Sequence, residues 1–188
     1  GLMGRIERPD GCWAEAALHG GRVRSSYSGD VSVGTVSTYD SGNTYYAAHI
    51  GIGKTRLLRT GDTLNTYLRY FYSRQDGTSA ELNTGEIYDF DAVASHRMRV
   101  GFTFLHREDT GKEIYAGLAY EYEFDGEGAA SVQGLATDSP ALRGGSTMVE
   151  LGYRFIPPDS RLSWHIHMAG WQGTRRGMTG NIQVGWAL

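Results

Sequence analysis

Apolar and polar residues alternate along eight stretches of this chain, and this period of two predicts an all-β fold. In the stretch 114–124, Leu118 and Tyr122 belong to the apolar set, whereas Glu121 and Glu123 belong to the polar set. Successive side chains of a strand point to opposite faces, so such a strand has one apolar and one polar face. The predicted strands are 12–28, 43–57, 63–74, 93–106, 112–125, 145–156, 161–172 and 178–187.

The connections between these strands alternate between long and short. The long connections are rich in Gly, Ser, Thr and Asp and cover 29–42, 75–92 and 126–144. The short connections are tight turns with suitable turn residues at 60–62, 109–111 and 157–160. Outer-membrane barrels have short periplasmic turns and long external loops, so this order predicts an antiparallel up-and-down transmembrane β-barrel with a polar interior. The last connection, 173–177, is short where this order predicts a long loop.

Two local features add to this prediction. Gly20 and Gly21 predict a β-bulge that changes which face of the first strand points inward. Aromatic side chains near strand ends are typical of membrane–water interfaces. The residues with this predicted position are Trp13, Tyr45, Tyr46, Tyr70, Tyr72, Tyr122, Trp164, Trp171 and Trp186.

Length and composition narrow the classes of protein. The chain of 188 residues predicts one domain, 1–188, and 40% hydrophobic residues exclude a disordered chain. No run approaches the roughly 18–20 apolar residues of a membrane helix. A net charge of −3 offers no basic surface for nucleic acid, and the single Cys12 excludes an internal disulfide. The start of the chain lacks signal-peptide features, so we expect an exported protein to have been processed or cut from a longer chain.

Several segments together resemble the C-terminal translocator domain of autotransporters, the type V secretion proteins of Gram-negative outer membranes. The segments that carry the resemblance are YLRYFY at 67–72, GEIYDFD at 85–91, SHRMRVG at 95–101, YAGLAYEYEFDG at 115–126, GGS at 144–146 leading into ELG at 150–152, and GWQGTRRGMTG at 170–180. Each segment alone is only a glycine-containing strand. The combination and the order carry the resemblance.

The resemblance implies an outer-membrane barrel of twelve strands that anchors a passenger domain and supplies the pore for its export. The chain then holds about eight of those strands and is N-terminally truncated, without the upstream pore-filling helix. The implied partners are outer-membrane lipid, the passenger domain or linker helix in cis, and the barrel assembly machinery. No cofactor and no enzymatic activity are implied. One departure is that Trp186 is followed by two further residues, whereas the family usually ends on the aromatic residue.

Charged residues on the inward face are the candidate binding residues. They are Arg69, Arg97, Arg99, Glu121, Glu123, Glu150 and Arg154. A charge that faces lipid near the bilayer midplane costs about 2–4 kcal/mol, so these side chains belong inside the barrel. We expect Arg97 and Arg99 to face Glu121 and Glu123 across neighbouring strands, with Glu150 extending the network. Their predicted role is to keep the pore hydrated and to hold the passenger's linker or helix, in preference to catalysis of linker cleavage.

Two other sets of residues are weaker candidates for a metal-binding site. His165 and His167 share a face and offer two metal ligands, but a polar position inside the barrel explains them with fewer assumptions. Glu86, Asp89 and Asp91 offer carboxylates for a divalent cation in an external loop, although solvation of that loop is the simpler explanation. The rival function is a complete eight-stranded outer-membrane barrel that acts as an adhesin or a lipid-modifying enzyme. Such a barrel has an interior filled by side chains and cannot pass a polypeptide.

Overall fold

The computed structural model describes residues 1–32, 35–108, 110–157 and 161–186, and these residues form thirteen strands. The strands are β1 (Leu2–Glu7), β2 (Cys12–Ser32), β3 (Thr35–Leu57), β4 (Thr63–Gln75), β5 (Thr78–Glu81), β6 (Ile87–Phe90), β7 (Val93–Arg107), β8 (Lys112–Glu123), β9 (Ala130–Val132), β10 (Leu135–Ala136), β11 (Gly144–Phe155), β12 (Leu162–Gly173) and β13 (Gly177–Trp186). None of the described residues belongs to a helix that is long and apolar enough to cross a membrane.

Nine strands form one curled antiparallel sheet in the order β1-β2-β3-β4-β7-β8-β11-β12-β13. All eight predicted strands are present, so the all-β antiparallel prediction is confirmed. The ninth strand, β1, was not predicted. It is only six residues long and pairs with β2 from Leu2 opposite Leu18 to Glu7 opposite Trp13. Among the described residues, β1 and β13 are the two edges of the sheet.

The first hairpin differs from the prediction in two ways. The described parts of the stretch, 29–32 and 35–42, are strands and not a loop, because β2 continues to Ser32, β3 begins at Thr35, and the two stay paired up to that position. The predicted bulge at Gly20 and Gly21 is also wrong, because both residues keep the regular register; among the described residues, the register of this pair shifts between Asp30 and Ser32. The stretch contains Val, Thr and Tyr residues, whose side chains fit a pleated sheet well. The outer hairpin therefore extends beyond the rest of the sheet.

The other two long connections contain a second sheet. Strands from 75–92 and 126–144 pair in the order β10-β9-β6-β5, with Tyr88 opposite Val132 where the two connections meet. Ala80 and Leu82 are buried in this region. The Asn83 side chain accepts a hydrogen bond from the Thr38 backbone N–H, 3.0 Å away, which joins the small sheet to the β2–β3 hairpin. These connections are therefore structured and cover one end of the main sheet.

The short turns lie at the opposite end of the main sheet. Gly11, Gly61 and Gly111 have positive φ angles of 81°, 88° and 81°, which a residue with a side chain adopts rarely. Near one of these turns, hydrogen bonds first from the Thr60 hydroxyl and then from His106 lower the pKa of the Asp62 carboxyl. Asp109 and 158–160, parts of two predicted tight turns, lie outside the described residues. The predicted division into a long-loop end and a short-turn end is present.

One face of the main sheet is polar and the other is apolar, as the sequence predicts. On β8, Gly117, Ala119, Glu121 and Glu123 are buried, whereas Ile114, Ala116, Leu118 and Tyr120 on the other face are exposed. The polar face is the concave one, because its side chains reach across an intervening strand to residues two strands away. The apolar face is convex and open. This arrangement is inverted relative to a soluble protein, which buries its apolar face.

The core of the concave face is a single row of side chains across the sheet. The register aligns Trp13, Gly53, Tyr67, Gly101 and Ala119 on successive strands. Met148 and Trp171 continue this row on β11 and β12. The glycines alternate with the aromatic residues, and a Cβ at Gly53 would overlap the Trp13 ring. Trp13 and Trp171 are therefore packing residues on the concave face, and their predicted position at a membrane interface is wrong.

Three other rows have a glycine between two side chains that interact across it. Gly51 lies between Glu15 and Arg69, and Gly117 lies between Thr103 and Glu150. In the third row, Gly152 is opposite Tyr115 on one side and His167 on the other. The Tyr115 hydroxyl reaches past this glycine to His165 Nε2, 3.0 Å away. Glycine is required here because a Cβ would occupy the space that the Tyr115 ring fills.

Replacing Gly152 with alanine is expected to destabilise the protein by about 1–3 kcal/mol, because the new methyl group displaces the Tyr115 ring. The measurement is the urea midpoint of unfolding in detergent or lipid. Gly4→Ala is the matched control on the same sheet, because no atom lies within 4 Å of its added Cβ. A second change, Tyr115→Ser, should recover part of the loss. Equal midpoints for Gly152→Ala and Gly4→Ala would contradict the packing argument.

Candidate functional site

Among the described residues, the concave face has Arg and Glu side chains from six of its strands, and they form four groups. The first group surrounds Glu121, whose side chain is 3% exposed. Arg99 donates two hydrogen bonds to Glu121 Oε2, at 2.9 Å from Nε and 2.6 Å from Nη2. Arg175, in the connection between β12 and β13, donates to Glu121 Oε1 at 3.3 Å, and Arg97 Nη1 lies 3.7 Å from the same oxygen. One buried carboxylate therefore holds three guanidinium groups.

Glu123 lies beside this group with different partners. Its carboxylate accepts hydrogen bonds from the Ser95 hydroxyl at 2.5 Å and from the His96 backbone N–H at 2.8 Å. Arg97 Nε lies 3.6 Å from Glu123, which is an ion-pair distance and longer than a hydrogen bond. The register places Arg97 opposite Glu123 and Arg99 opposite Glu121, so the predicted pairing of these four residues is confirmed.

The second group surrounds Glu15, which the sequence analysis did not single out. Arg69 Nε donates a hydrogen bond of 2.7 Å to Glu15, and Arg5 and His49 lie 3.6 Å and 3.7 Å from it. Glu15 is in the alternating pattern of Trp13 and Ala17, which was the available signal. The expected bulge obscured it, because a bulge would have reversed the faces within the same strand.

The third group contains Glu150, which was expected to extend the arginine network. Its carboxylate instead accepts a hydrogen bond from the Thr103 hydroxyl at 3.0 Å and lies 3.5 Å from His167 Nε2. His167 thus has a carboxylate neighbour, and His165 contacts the Tyr115 hydroxyl. Among the described residues, no group of three or more His, Cys, Asp or Glu side chains is arranged to hold a metal ion.

The fourth group lies at the short-turn end and contains Arg154. Arg154 and Arg107 both contact the Glu113 carboxylate, at 3.2 Å and 2.7 Å. Both arginine side chains are largely exposed, unlike Arg99. Arg154 is therefore on the predicted face, but it belongs to the rim of the sheet and not to the group around Glu121.

Aromatic rings pack against the guanidinium groups of several of these arginines. The Arg5 guanidinium lies 4.3 Å from the centre of the Trp13 ring, and Arg69 lies 4.5 Å from that of Tyr67. Arg175 lies 4.4 Å from the centre of the Trp171 ring. Planar guanidinium groups stack well on aromatic faces, so each arginine is held by both a ring and a carboxylate.

The acidic residues of the long connection have local partners. Glu86 accepts a hydrogen bond from the Thr84 hydroxyl, which lowers the pKa of the Glu86 carboxyl. Asp89 accepts one from the Ser79 hydroxyl on the neighbouring strand. Glu86 therefore belongs to a turn, whereas Asp89 contacts its paired strand.

Comparison with known protein families and with curated proteins identifies no relative of this chain. No model of a known protein family matches the sequence, and no curated protein matches it. The two faces of the sheet and the charged groups on the concave face are therefore the observations from which a function can be inferred.

Proposed function

We propose that this chain is part of an outer-membrane β-barrel of the autotransporter translocator type, which anchors a passenger domain and supplies its export pore. The observation that carries the proposal is the convex face. Among the described residues of β1 to β13, the charged side chains on this face lie toward the two ends of the sheet, and the band between them carries no Asp, Glu, Lys or Arg. These charged residues are Arg22, Arg24, Asp40, Lys54, Arg56, Arg74 and Lys112. A band that is apolar, exposed and free of charge fits a lipid environment.

The height of the uncharged face supports the proposal. On β8, the uncharged face covers 114–124. On β4, it ends before Arg74 and consists of Leu64, Thr66, Leu68, Tyr70 and Tyr72. Eleven residues at about 3.3 Å each, tilted by about 45°, span roughly 25 Å, which matches the apolar band of outer-membrane barrels. The long-loop end corresponds to the cell exterior, and the short-turn end corresponds to the periplasm.

The concave face supports contact with a polypeptide. A cavity of about 300 Å³ beside Glu121 is lined by Arg97, Ser146 and Arg175. Arg97 Nε and Trp171 Nε1 are buried without a hydrogen-bond partner among the described residues. A linker helix or an extended passenger segment offers backbone carbonyl groups that accept such hydrogen bonds. The barrel would hold the linker through the neutral indole N–H of Trp171 and the charged guanidinium of Arg97.

The rival is the complete eight-stranded barrel that acts as an adhesin or a lipid-modifying enzyme. The main sheet has nine strands, and β1 and β13 stand at separate edges among the described residues. An open edge leaves unpaired backbone groups, which lipid cannot satisfy. Pairing of these edges with further strands in a wider barrel resolves this cost, and a wider barrel leaves room for a polypeptide.

The test is expression of the complete gene product in a Gram-negative host. We expect the barrel to fractionate with the outer membrane and to show heat-dependent mobility on gels. Protease added to intact cells should remove a passenger and leave the barrel segment. Recovery in the soluble fraction would contradict the membrane proposal. A protein that is inserted in the outer membrane but exposes no passenger would contradict the translocator proposal and favour the adhesin or enzyme.

A further inference from the structure

Three arginines on the convex face differ from those on the concave face. Arg22 and Arg24 on β2 and Arg74 on β4 are exposed and point to the apolar side of the sheet. On the concave face of the spanning strands, each arginine has a carboxylate within 4 Å, as Arg69 and Arg99 illustrate. Among the described residues, these three arginines have no such carboxylate partner, although a strand carries them toward a lipid-facing surface.

The three arginines are close enough to act on one ligand. Arg74 is directly opposite Tyr46, and Arg22 is opposite Thr44, two residues farther along the same strand. With strands about 4.8 Å apart and a rise of about 3.3 Å per residue, the Cα atoms of Arg22 and Arg74 are roughly 12 Å apart. Arg24 follows Arg22 by two residues on the same face. Long arginine side chains from these positions can converge on one multiply charged headgroup.

A row of aromatic side chains on the convex face begins beside Arg74 and continues away from the long-loop end. The Tyr46 and Tyr72 rings are 6.4 Å apart, and the Tyr72 and His96 rings are 4.9 Å apart. The Tyr70 hydroxyl lies 2.7 Å from His96 Nδ1. Amphipathic rings on a lipid-facing surface mark the boundary between acyl chains and headgroups. Arg22 and Arg24 lie beyond these rings toward the long-loop end, and Arg74 is level with Tyr46, at the depth of the headgroups.

We propose that Arg22, Arg24 and Arg74 bind the phosphate groups of lipopolysaccharide in the outer leaflet. This inference rests on the proposed outer-membrane location. Arginine forms paired hydrogen bonds to phosphate oxygens, and the uncharged sugar rings of such a glycolipid can lie against the aromatic row. Carboxylates at the same end of the sheet include those of Asp40, Asp76 and, in the long connection, Glu86, Asp89 and Asp91. Because of these carboxylates, the three arginines do not make this end strongly positive. Direct guanidinium–phosphate contacts therefore carry the binding, rather than a long-range field.

The experiment titrates fluorescent lipopolysaccharide into the complete gene product in nonionic detergent. We expect each of Arg22→Gln, Arg24→Gln and Arg74→Gln to weaken binding about fivefold, and the triple variant to weaken it roughly a hundredfold. Asp76→Asn should strengthen binding because it removes a repulsive carboxylate. Enzymatically dephosphorylated lipopolysaccharide should bind the unaltered protein as weakly as intact lipopolysaccharide binds the triple variant.

Arg56→Gln is the matched control. Arg56 is also exposed on the convex face, but it lies on β3 at the short-turn end, so its replacement should leave binding unchanged. Folding of each variant is checked by heat-dependent mobility. Unchanged affinity in a folded triple variant, or equal affinity for phosphatidylglycerol, would overturn the lipopolysaccharide site while leaving the translocator proposal intact. Failure of the unaltered protein to enter the outer membrane would overturn both.

Discussion

Replacing Ile50 with arginine is expected to lower the free energy of unfolding in lipid bilayers by about 2–4 kcal/mol. Ile50 is on the convex face of β3, between Asp40 toward the long-loop end and Lys54 toward the short-turn end, and is 61% exposed. If this face contacts lipid, the guanidinium must enter the hydrocarbon core or distort the bilayer. The measurement is urea unfolding in phospholipid vesicles, followed by tryptophan fluorescence.

Thr44→Arg is the matched control for this substitution. Thr44 is on the same strand and the same face, but it is level with Arg22 at the long-loop end. The same added charge should cost only about 0–1 kcal/mol there, because the cost of a lipid-facing arginine falls near the interface. In a soluble sheet, arginine at the exposed Ile50 position would be almost neutral. Equal effects at the two positions would therefore contradict a lipid-facing convex surface.

Replacing Glu121 with glutamine is expected to destabilise the protein by about 3 kcal/mol, because a buried carboxylate that balances several cations is lost. The positions of the arginines on neighbouring strands make the loss of stability larger. Arg69 and Arg99 are directly opposite each other on β4 and β7, and each is drawn to a glutamate on its far side. Without the Glu121 carboxylate, the positive charges of Arg69, Arg97 and Arg99 are less well balanced, and like charges opposite each other destabilise a strand pair. The measurement is again the urea midpoint.

Glu113→Gln is the control for this prediction, because Glu113 also contacts two arginines. Its partners, Arg107 and Arg154, are largely exposed at the short-turn end, so the expected cost is only about 0.2–1 kcal/mol. The double variant Arg99→Gln with Glu121→Gln should cost less than the sum of the two single changes, because the residues interact. A Glu121 effect no larger than the Glu113 effect would mean that water screens the concave group fully.

Local sequence signals predicted the strands and the pairing of neighbours. The pairing of Arg97 with Glu123 follows from a short turn at Gly111, since a tight turn specifies the register of the two strands that it joins. The same reasoning located the polar face of β8. Two local errors had a common cause. Glycine pairs and Ser- and Thr-rich stretches were interpreted as breaks, whereas β2 and β3 stay paired through Gly20 and Gly21 and as far as Ser32 opposite Thr35.

Contacts across two strands were not predictable in the same way. The Glu15–Arg69 pair spans 54 residues and passes over Gly51, so it depends on the curl of the sheet as well as on the absence of a side chain. Trp13 illustrates the same point, because its position near a strand end suggested a membrane interface. The curl instead places it in the row with Tyr67, where Gly53 leaves space for its ring.

The sequence by itself determined the strand positions, the two chemically different faces and the alternation of long and short connections. These properties follow from a side-chain period of two and from turn residues, which act over a few positions. Only the tertiary structure decided that Arg175 joins Glu121 and that Glu150 pairs with Thr103 instead of an arginine. Curvature brings residues that are distant in sequence within hydrogen-bond reach, and no local pattern encodes the distance between strands that are not neighbours.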